Sequence, residues 1–248
     1  MPEPEPIPAA TLIVMREGRS GPPEILMVER ARAMVFAGGA LVFPGGRVDP
    51  ADRAAAALLK GDAEDMAARI AAIRETLEEA GIIVGLDLGL GAASPVRERL
   101  HAGEGLSGLL KEHDGALRLD ALVAFARWLP QGVPHRIFDT RFYLARAPEG
   151  VEPMVDGSEN VRAFWATARE VLAAADAGEA MLIFPTRRNL ERLATFASYD
   201  DAVASAQAHP VRTITPWIET RDDGDYLCIP DDAGYPMTAE RLDQAVRA

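Results

Sequence analysis

The sequence predicts an α+β domain in which helices pack against a mixed sheet. Its 248 residues are 48% hydrophobic, enough material for one sizeable core. Short apolar runs typical of strands lie within residues 11–31 and again within 121–146. Alanine-rich segments with helical periodicity lie between them. Because strands and helices follow one another irregularly, a layered α+β structure is favoured over a regular βαβ succession.

The first strands are predicted as a hairpin. "TLIVMREG" (11–18) and "EILMVERA" (24–31) are apolar runs joined by the turn-forming "RSGPP". "ALVF" then predicts a strand that runs into a sharp Pro-Gly-Gly turn. Residues 1–9 are acidic and proline-rich and predict a disordered lead-in, so the domain is placed at 10–248.

Two helices are predicted between Asp52 and Ala80, with a break near Gly61-Asp62, and another helical stretch over 94–113. Strands are predicted at "ALVAFARWL" (121–129) and "RIFDTRFYLAR" (136–146). Alternation in the second gives one face for the core and one for a polar task. The core face carries Phe138, Phe142 and Leu144, and the polar face carries Asp139, Arg141 and Tyr143.

The last part of the chain predicts a helical elaboration of the domain over about 186–248. A helix is expected from about Arg187 to His209, with Thr186 as its N-cap after Pro185. A short helix is expected after Thr238.

The composition restricts partners and location. A formal net charge of -12 and a pI near 4.8 disfavour binding to nucleic acid or to anionic membranes. Cys228 is the single cysteine, which excludes an intrachain disulfide and a cysteine-rich zinc site. No apolar run approaches the roughly 20 residues of a membrane span, and the N-terminus lacks the basic start of a secretory signal. A cytoplasmic protein is therefore expected, with its oligomeric state left open.

The segment "AIRETLEEAGI" (72–82) carries three carboxylates on one helical face. Glu75, Glu78 and Glu79 are spaced i, i+3 and i+4, so their side chains converge. Like charges at this spacing oppose helix formation by about 0.2 to 0.5 kcal/mol per pair. The compensating positive charge could come from solvent counterions, from Arg74 or from a bound divalent metal ion.

The upstream segment "VFPGGRVDPAD" (42–52) favours the metal interpretation. If the glycine loop folds against the helix, a glycine carbonyl completes an oxygen shell with the glutamates. Such a shell suits Mg²⁺ or Mn²⁺, and these ions accompany phosphoryl chemistry.

Together the two segments resemble the Nudix box, G-x5-E-x7-R-E-U-x-E-E-x-G-U, where U is a bulky apolar residue. The matching positions are Gly46, Arg74, Glu75, Glu78, Glu79, Gly81 and Ile82. The sequence departs from the box in three ways. Asp52 replaces its first glutamate, Thr76 stands at an apolar position, and 21 residues separate Asp52 from Arg74 where the family has seven.

A branch of this family, similar to the peroxisomal coenzyme A diphosphatases of animals, also carries an insertion inside the box and shares text like "VFPGG", "RETxEEAG" and "FDTRF". The insertion would correspond here to a helical segment over 53–73. The signature upstream of the box in coenzyme A-cleaving members is partly kept. Ala31 and Val35 replace its serine and second arginine, and Met34 and Leu41 are apolar substitutes. The matching residues are Leu26, Arg30, Gly39, Phe43, Pro44, Gly45 and Gly46.

The resemblance implies a Nudix α/β/α sandwich and a role for each matching residue. Glu75, Glu78 and Glu79 would hold Mg²⁺ or Mn²⁺, with the Gly45 carbonyl as a further ligand. Arg74 belongs to the catalytic set and would orient a glutamate without touching substrate. A box glutamate would act as general base, with Glu159 as a weaker candidate. The substrate-binding candidates are Arg30, Phe43, Gly46 and Arg141, although Phe43 also fits a core strand and Arg141 also fits an ion pair with Asp139.

The function implied is metal-dependent hydrolysis of a diphosphate that joins a nucleoside to another group. Coenzyme A or acyl-coenzyme A, giving 3',5'-ADP and the phosphopantetheine product, is the first choice of substrate. The alternatives are ADP-ribose or a dinucleotide cofactor such as NADH, and a Nudix regulator that binds a nucleotide without cleaving it. A carboxylate-bridged di-iron bundle, which expects Glu-x-x-His pairs on its helices, is disfavoured because no histidine lies near the three glutamates in the sequence.

Overall fold

The computed structural model describes residues 5–18, 21–34, 37–130, 137–155 and 160–245. Its helices are α1 (Pro50–Ala56), α2 (Ala63–Ala80), α3 (Ala93–His101), α4 (Leu106–Glu112), α5 (Ala168–Asp176), α6 (Phe184–Leu193), α7 (Tyr199–Ala208) and α8 (Leu242–Ala245). Its strands are β1 (Ile7–Arg16), β2 (Glu24–Arg30), β3 (Leu41–Val42), β4 (Gly45–Arg47), β5 (Leu86–Asp87), β6 (Ala116–Leu117), β7 (Val123–Trp128), β8 (Phe138–Arg146), β9 (Asn160–Thr167), β10 (Thr213–Ile214), β11 (Trp217–Arg221), β12 (Gly224–Cys228) and β13 (Ala239–Arg241).

One large mixed sheet organises the described part of the chain. Its order is β10-β7-β8-β1-β2-β3, with β4 paired to β1 and β9 paired to β2. β1 runs parallel to β8 and antiparallel to β2 and β4. The predicted hairpin of the first two strands is confirmed by the pairs Met15 with Ile25 and Arg16 with Glu24.

Helices cover both faces of the sheet, which confirms the predicted α+β sandwich. Along β1, Leu12 and Val14 enter a core shared with α1 to α4, whereas Ile13 and Met15 enter a core shared with α5 to α7. All four side chains have no exposed surface. Alternation of period two therefore serves two hydrophobic cores, one on each face.

A short hairpin divides β1 from β2 beyond their paired ends. Its first arm, β3, pairs with β2 at Val28 and Glu29, and its second arm, β4, pairs with β1 at Ala9, Ala10 and Thr11. The Pro-Gly-Gly segment was predicted as a sharp turn, but both of its glycines lie in β4 in extended conformation. These positions therefore need glycine because a side chain would clash with neighbouring atoms, and not because the backbone adopts a positive φ.

Several predicted boundaries differ from the structure. β1 begins at Ile7, so the end of the predicted lead-in belongs to the sheet because its backbone pairs with β8 from Phe138 onward. The helical stretch 94–113 is two helices, α3 and α4. The break predicted near Gly61-Asp62 is confirmed, with Asp62 as the N-cap of α2.

The C-terminal part is less helical than predicted. A single helix is expected over 187–209, but the structure has two, α6 and α7. Ile183 is the N-cap residue of α6, and Ser198 is the N-cap residue of α7. After α7 the chain forms the antiparallel sheet β11-β12-β13, which the sequence reading missed along with β9 and α5. The expected short helix is α8, preceded by β13. Across the described ranges, no helix is long and apolar enough to cross a membrane.

Candidate active site

Helix α2 carries the carboxylates, and both of its ends are fixed locally. The Asp62 side chain accepts a hydrogen bond from the Asp65 N–H at the N-terminus (2.7 Å). The helix ends at Gly81, whose φ of 67° lies in the left-handed region and whose N–H donates to the Leu77 carbonyl (3.0 Å). The last glycine of the box is thus a helix cap, placed directly after the glutamates.

Arg74 organises the cluster from inside. Its guanidinium donates to Glu75 Oε1 (2.9 Å), Glu78 Oε2 (2.8 Å), Asp52 Oδ2 (3.0 Å) and the Arg47 carbonyl (2.9 Å). The side chain is 7% exposed, so these bonds form largely without water. Arg74 is therefore a positioning residue for two glutamates, as the resemblance implies.

The departures from the box have local explanations. Asp52 is 1% exposed, pairs with Arg74, and also accepts a bond from the Asp49 N–H (2.9 Å) in the capping box of α1. The longer spacing therefore still brings the two residues into contact. Thr76 is fully buried, and its hydroxyl donates to the Ala72 carbonyl (2.7 Å), so it occupies the apolar position without an unpaired group.

Gly46 permits a close approach between β4 and α2, and Gly45 permits one between β4 and β1. A Cβ on Gly46 would lie 2.2 Å from Glu75 Oε1, and a Cβ on Gly45 would lie 2.5 Å from the Ala10 carbonyl oxygen. A side chain at Gly46 would displace the glutamate. Gly46 thus sets the position of Glu75, which is a different role from the substrate contact predicted for it.

Gly45 faces the helix with its backbone. Its N–H donates to Glu79 Oε2 (2.9 Å). Because the N–H and C=O of one residue in an antiparallel strand point to the same side, the Gly45 carbonyl also points toward α2. This orientation fits the predicted use of that carbonyl as a metal ligand.

The electrostatics of the cluster show a shortage of positive charge. Burial raises the pKa of Glu75 to about 8, Arg74 opposes this rise, and Glu79 and Glu78 reinforce it. Burial also raises the pKa of Glu78, against the opposing effects of Arg74 and His101. Burial alone would lower the pKa of Arg74, but the surrounding carboxylates raise it. An added cation would favour the ionised carboxylates.

The donor set fits a hard divalent ion, although its side chains are not arranged around one. In the described part of the chain, no group of three His, Cys, Asp or Glu side chains is placed to hold a metal ion. Glu75 and Glu78 turn toward Arg74, and Glu79 turns toward the Gly45 N–H. Carboxylate and carbonyl oxygens are the ligands that Mg²⁺ and Mn²⁺ prefer, so binding requires reorientation of side chains and no change of fold.

Two of the predicted substrate contacts lie elsewhere. Phe43 is 3% exposed and packs edge-on against Phe142 at 6.5 Å between ring centroids, so it is a core residue and does not face a ligand. Arg141 reaches Asp65 at 3.4 Å, near the start of α2 and about 15 Å along the helix from Glu75. Asp139, its predicted alternative partner, pairs with Arg127 instead.

The polar side chains on β8 mostly bond to other side chains of the protein. Asp139 pairs with Arg127 through two bonds (2.6 and 2.8 Å). Tyr143 is 1% exposed and donates its hydroxyl proton to Asp65 Oδ1 (2.8 Å). These contacts attach the N-terminal half of α2 to the sheet, which holds the carboxylates in place from a distance.

Of the remaining predicted residues, one lies near the site and the others lie outside the described residues. Arg30 ends β2, next to the hairpin that carries Gly45 and Gly46. Glu159, the candidate general base, and Val35 and His135 lie outside the described residues.

Two residues near the cluster were missed in the sequence. Arg97 donates to the Glu78 carbonyl (2.8 Å) and so holds the last turn of α2. His101 in α3 acts electrostatically on Glu78, although the sequence reading placed no histidine near the glutamates. Neither could be found from spacing, because α3 reaches the cluster only through tertiary packing.

Comparison with known proteins places this geometry in a family. No model of a known protein family matches the sequence. A solved NUDIX hydrolase from Alicyclobacillus acidocaldarius is 31% identical, with a TM-score of 0.73, over 81% of this chain and 96% of that one. This chain belongs to the Nudix hydrolase family. It is therefore a pyrophosphohydrolase of this family, as the resemblance implied, and hydrolases of the family generally use divalent metal ions.

Two further solved Nudix proteins match this chain at lower similarity. An Ap4A hydrolase from C. elegans is 18% identical over 68% of this chain and 86% of that one, with a TM-score of 0.39. The NUDIX domain of Shewanella oneidensis NrtR, complexed with ADP ribose, is 12% identical over 76% and 86% with a TM-score of 0.41. Similarity at these scores adds nothing to the family assignment.

Proposed function

We propose that this Nudix hydrolase cleaves the diphosphate linkage of coenzyme A or acyl-coenzyme A, giving 3',5'-ADP and the phosphopantetheine product. The observation that carries the proposal is the cluster of Glu75, Glu78 and Glu79 around Arg74, with the Gly45 backbone beside it. The choice of coenzyme A rests on the upstream signature, of which Arg30 at the end of β2 is the charged residue retained.

In the proposed mechanism the protein supplies a set of carboxylate and carbonyl oxygens on a fixed backbone. When bound, Mg²⁺ or Mn²⁺ would polarise the phosphoryl oxygens, lower the pKa of the attacking water and neutralise charge on the leaving phosphate. Glu75, Glu78, Glu79 and the Gly45 carbonyl would hold the ion. Arg74 holds two of these glutamates in place before the ion arrives, and a glutamate of the cluster takes the proton of the attacking water.

Two alternatives within the family predict different products. An ADP-ribose or dinucleotide pyrophosphatase would share the same carboxylates and would release AMP. A nucleotide-binding regulator would bind and not cleave. The complete carboxylate set favours an enzyme, because a protein selected only for binding has no need to keep all three glutamates.

The test is product analysis by mass spectrometry after incubation with Mg²⁺ and a substrate panel. The panel contains coenzyme A, acyl-coenzyme A, ADP-ribose, NADH and a dinucleoside polyphosphate. The proposal expects 3',5'-ADP from coenzyme A as the fastest product. Cleavage of another member alone would replace the substrate assignment, and no cleavage of any member would favour the regulator.

A further inference from the structure

Two buried polar atoms on neighbouring strands have no hydrogen-bond partner among the residues that the structure describes. They are Nε of Arg30, the last residue of β2, and Oδ1 of Asn160, the first residue of β9. The two residues are opposite each other in the antiparallel pair, and Asn160 is only 2% exposed. A buried polar group without a partner costs about 1 to 3 kcal/mol, so a pair of them at one place points to a ligand that supplies the missing bonds.

The pair lies beside the carboxylate cluster. Leu26 and Val28 of β2 face the core on the α2 side, and Arg30 follows them at the same period of two. The backbone of Arg30 bonds to Ala40, just before the hairpin arm β3, and the other arm carries Gly46. Arg30 is therefore about two strand spacings, or roughly 10 Å, from Gly46 on the face of the sheet that α2 covers.

The chemistry of the two atoms selects a kind of ligand. The guanidinium Nε–H of Arg30 donates, whereas the amide Oδ1 of Asn160 can only accept. A phosphate oxygen would satisfy the donor but would be repelled by the Asn160 oxygen. A neutral group with an acceptor next to a donor satisfies both.

We propose that Arg30 and Asn160 together form a specificity site that binds a neutral donor–acceptor group of the substrate, an amide or the amino edge of an aminopurine. This inference rests on the proposed function, since it supposes that the diphosphate lies at the carboxylate cluster. Coenzyme A carries both kinds of group, in its pantetheine arm and in its adenine. The site thus recognises the part of the substrate that is not the diphosphate.

Two variants test the pair by steady-state kinetics. Asn160→Leu keeps the approximate shape and removes the acceptor, and Arg30→Lys keeps the charge and removes the guanidinium Nε. Each is expected to raise KM about tenfold while kcat changes less than about twofold, because binding is lost away from the reacting phosphate. The matched control is Arg162→Lys on β9, where a mostly exposed arginine pairs with Glu29 (3.3 Å). It should change neither constant.

Three substrates separate the two sources of the donor–acceptor group. If the pair binds an amide, Asn160→Leu raises KM for coenzyme A and leaves ADP-ribose unchanged. If it binds the adenine edge, KM rises for both and stays unchanged for the purine-riboside analogue of ADP-ribose, whose base has no 6-amino group and offers no donor on that edge. An unchanged KM for every substrate in both variants overturns the proposal, and should Asn160→Leu fail to fold, Arg30→Lys decides.

Direct binding separates this inference from the proposed function. Calorimetric titration of coenzyme A and of ADP-ribose into the Glu79→Gln chain measures Kd without turnover. A Kd about tenfold weaker on adding Asn160→Leu supports the pair even if the wild-type chain cleaves neither compound, in which case the proposed function fails alone. An unchanged Kd for both compounds overturns the specificity site while leaving the hydrolase intact.

Discussion

Two clusters of buried arginine and carboxylate lie on opposite faces of the sheet and differ in how well their arginines are satisfied. In the α2 cluster (Arg74 with Asp52, Glu75, Glu78 and Glu79), every guanidinium nitrogen donates a hydrogen bond. The cluster contains one arginine and four carboxylates, so negative charge is in excess.

The α6 cluster (Arg187, Arg188, Asp176, Glu191 and Glu240) has two arginines for three carboxylates. Arg188 pairs with Glu191 Oε1 (2.7 Å) and Glu240 Oε2 (3.0 Å), yet its Nε and Nη1 have no partner in the described chain. Burial lowers the pKa of Arg188, whereas the pKa of Arg74 is raised. The same residue types thus leave an excess of negative charge, suited to the proposed metal ion, on one face and make a structural ion pair on the other.

The largest difference is expected when each arginine is removed. Arg74→Met leaves Asp52 charged, 1% exposed and without its cation, so the free energy of unfolding should fall by about 3 to 5 kcal/mol. Arg188→Met removes a guanidinium that leaves two of its nitrogens without hydrogen bonds, so the free energy of unfolding should fall by only about 1 to 2 kcal/mol. Denaturant unfolding of both variants measures the difference, and equal losses would contradict the distinction between the clusters.

A smaller but more specific effect is expected from Glu79→Gln. Loss of a carboxylate from the α2 cluster should lower kcat at least about 100-fold with an unchanged circular dichroism spectrum. The control is Glu64→Gln at the start of the same helix, where the side chain is exposed and, among the described residues, pairs with Arg53 alone. An unchanged rate in Glu79→Gln would refute the assignment of the metal site.

Gly46→Ala should disturb the α2 cluster without changing its charge. The new Cβ would lie 2.2 Å from Glu75 Oε1 and must displace that side chain, so kcat should fall about 10- to 100-fold. The matched control, Gly91→Ala, has no atom within 4 Å of the added Cβ. If both alanine variants keep full activity, the close approach at Gly46 has no part in catalysis.

Divalent ions should stabilise the α2 cluster selectively. At a concentration 100-fold above Kd, Mg²⁺ should add about 2.7 kcal/mol and raise Tm by about 5 to 10 °C. Thermal unfolding with Mg²⁺, with EDTA and with sodium chloride of equal ionic strength measures this. The increase in Tm caused by Mg²⁺ should be smaller in the Glu79→Gln variant and unchanged in the Glu191→Gln variant. An equal rise with sodium chloride would indicate screening of charge and no bound ion.

The smallest effect concerns pH and belongs to the α6 cluster. Burial raises the pKa of Glu191 to about 7, opposed by Arg188 and Arg187 and reinforced by Glu240 and Asp176. A carboxyl whose folded pKa lies above its unfolded value of 4.5 stabilises the fold below pH 4.5 and loses that contribution as pH rises to about 7. Relative to wild type, Glu191→Gln should therefore gain about 1 to 2 kcal/mol between pH 5 and pH 8. A difference that stays constant with pH would contradict the raised pKa.

The local features of the active site follow from the sequence alone. The spacing of Glu75, Glu78 and Glu79 places them on one face of a helix because the helical period is local. The cap at Gly81 and the break at Asp62 are also decided by residues within one turn. The same holds for the first hairpin, whose strands are separated by a short turn.

Only the tertiary structure decides which of these residues meet. Phe43 and Arg141 carry side chains suited to a ligand, but packing directs one to the core and the other to Asp65. His101 and Arg97 reach Glu78 from α3, and no local pattern marks them. The role proposed for Asn160 likewise depends on the pairing of β9 with β2. Sequence therefore determined the carboxylates and their helix. Packing of β4 and α3 against that helix, and pairing of β9 with β2, determined the rest, because contacts across the sheet depend on register and packing and not on periodicity.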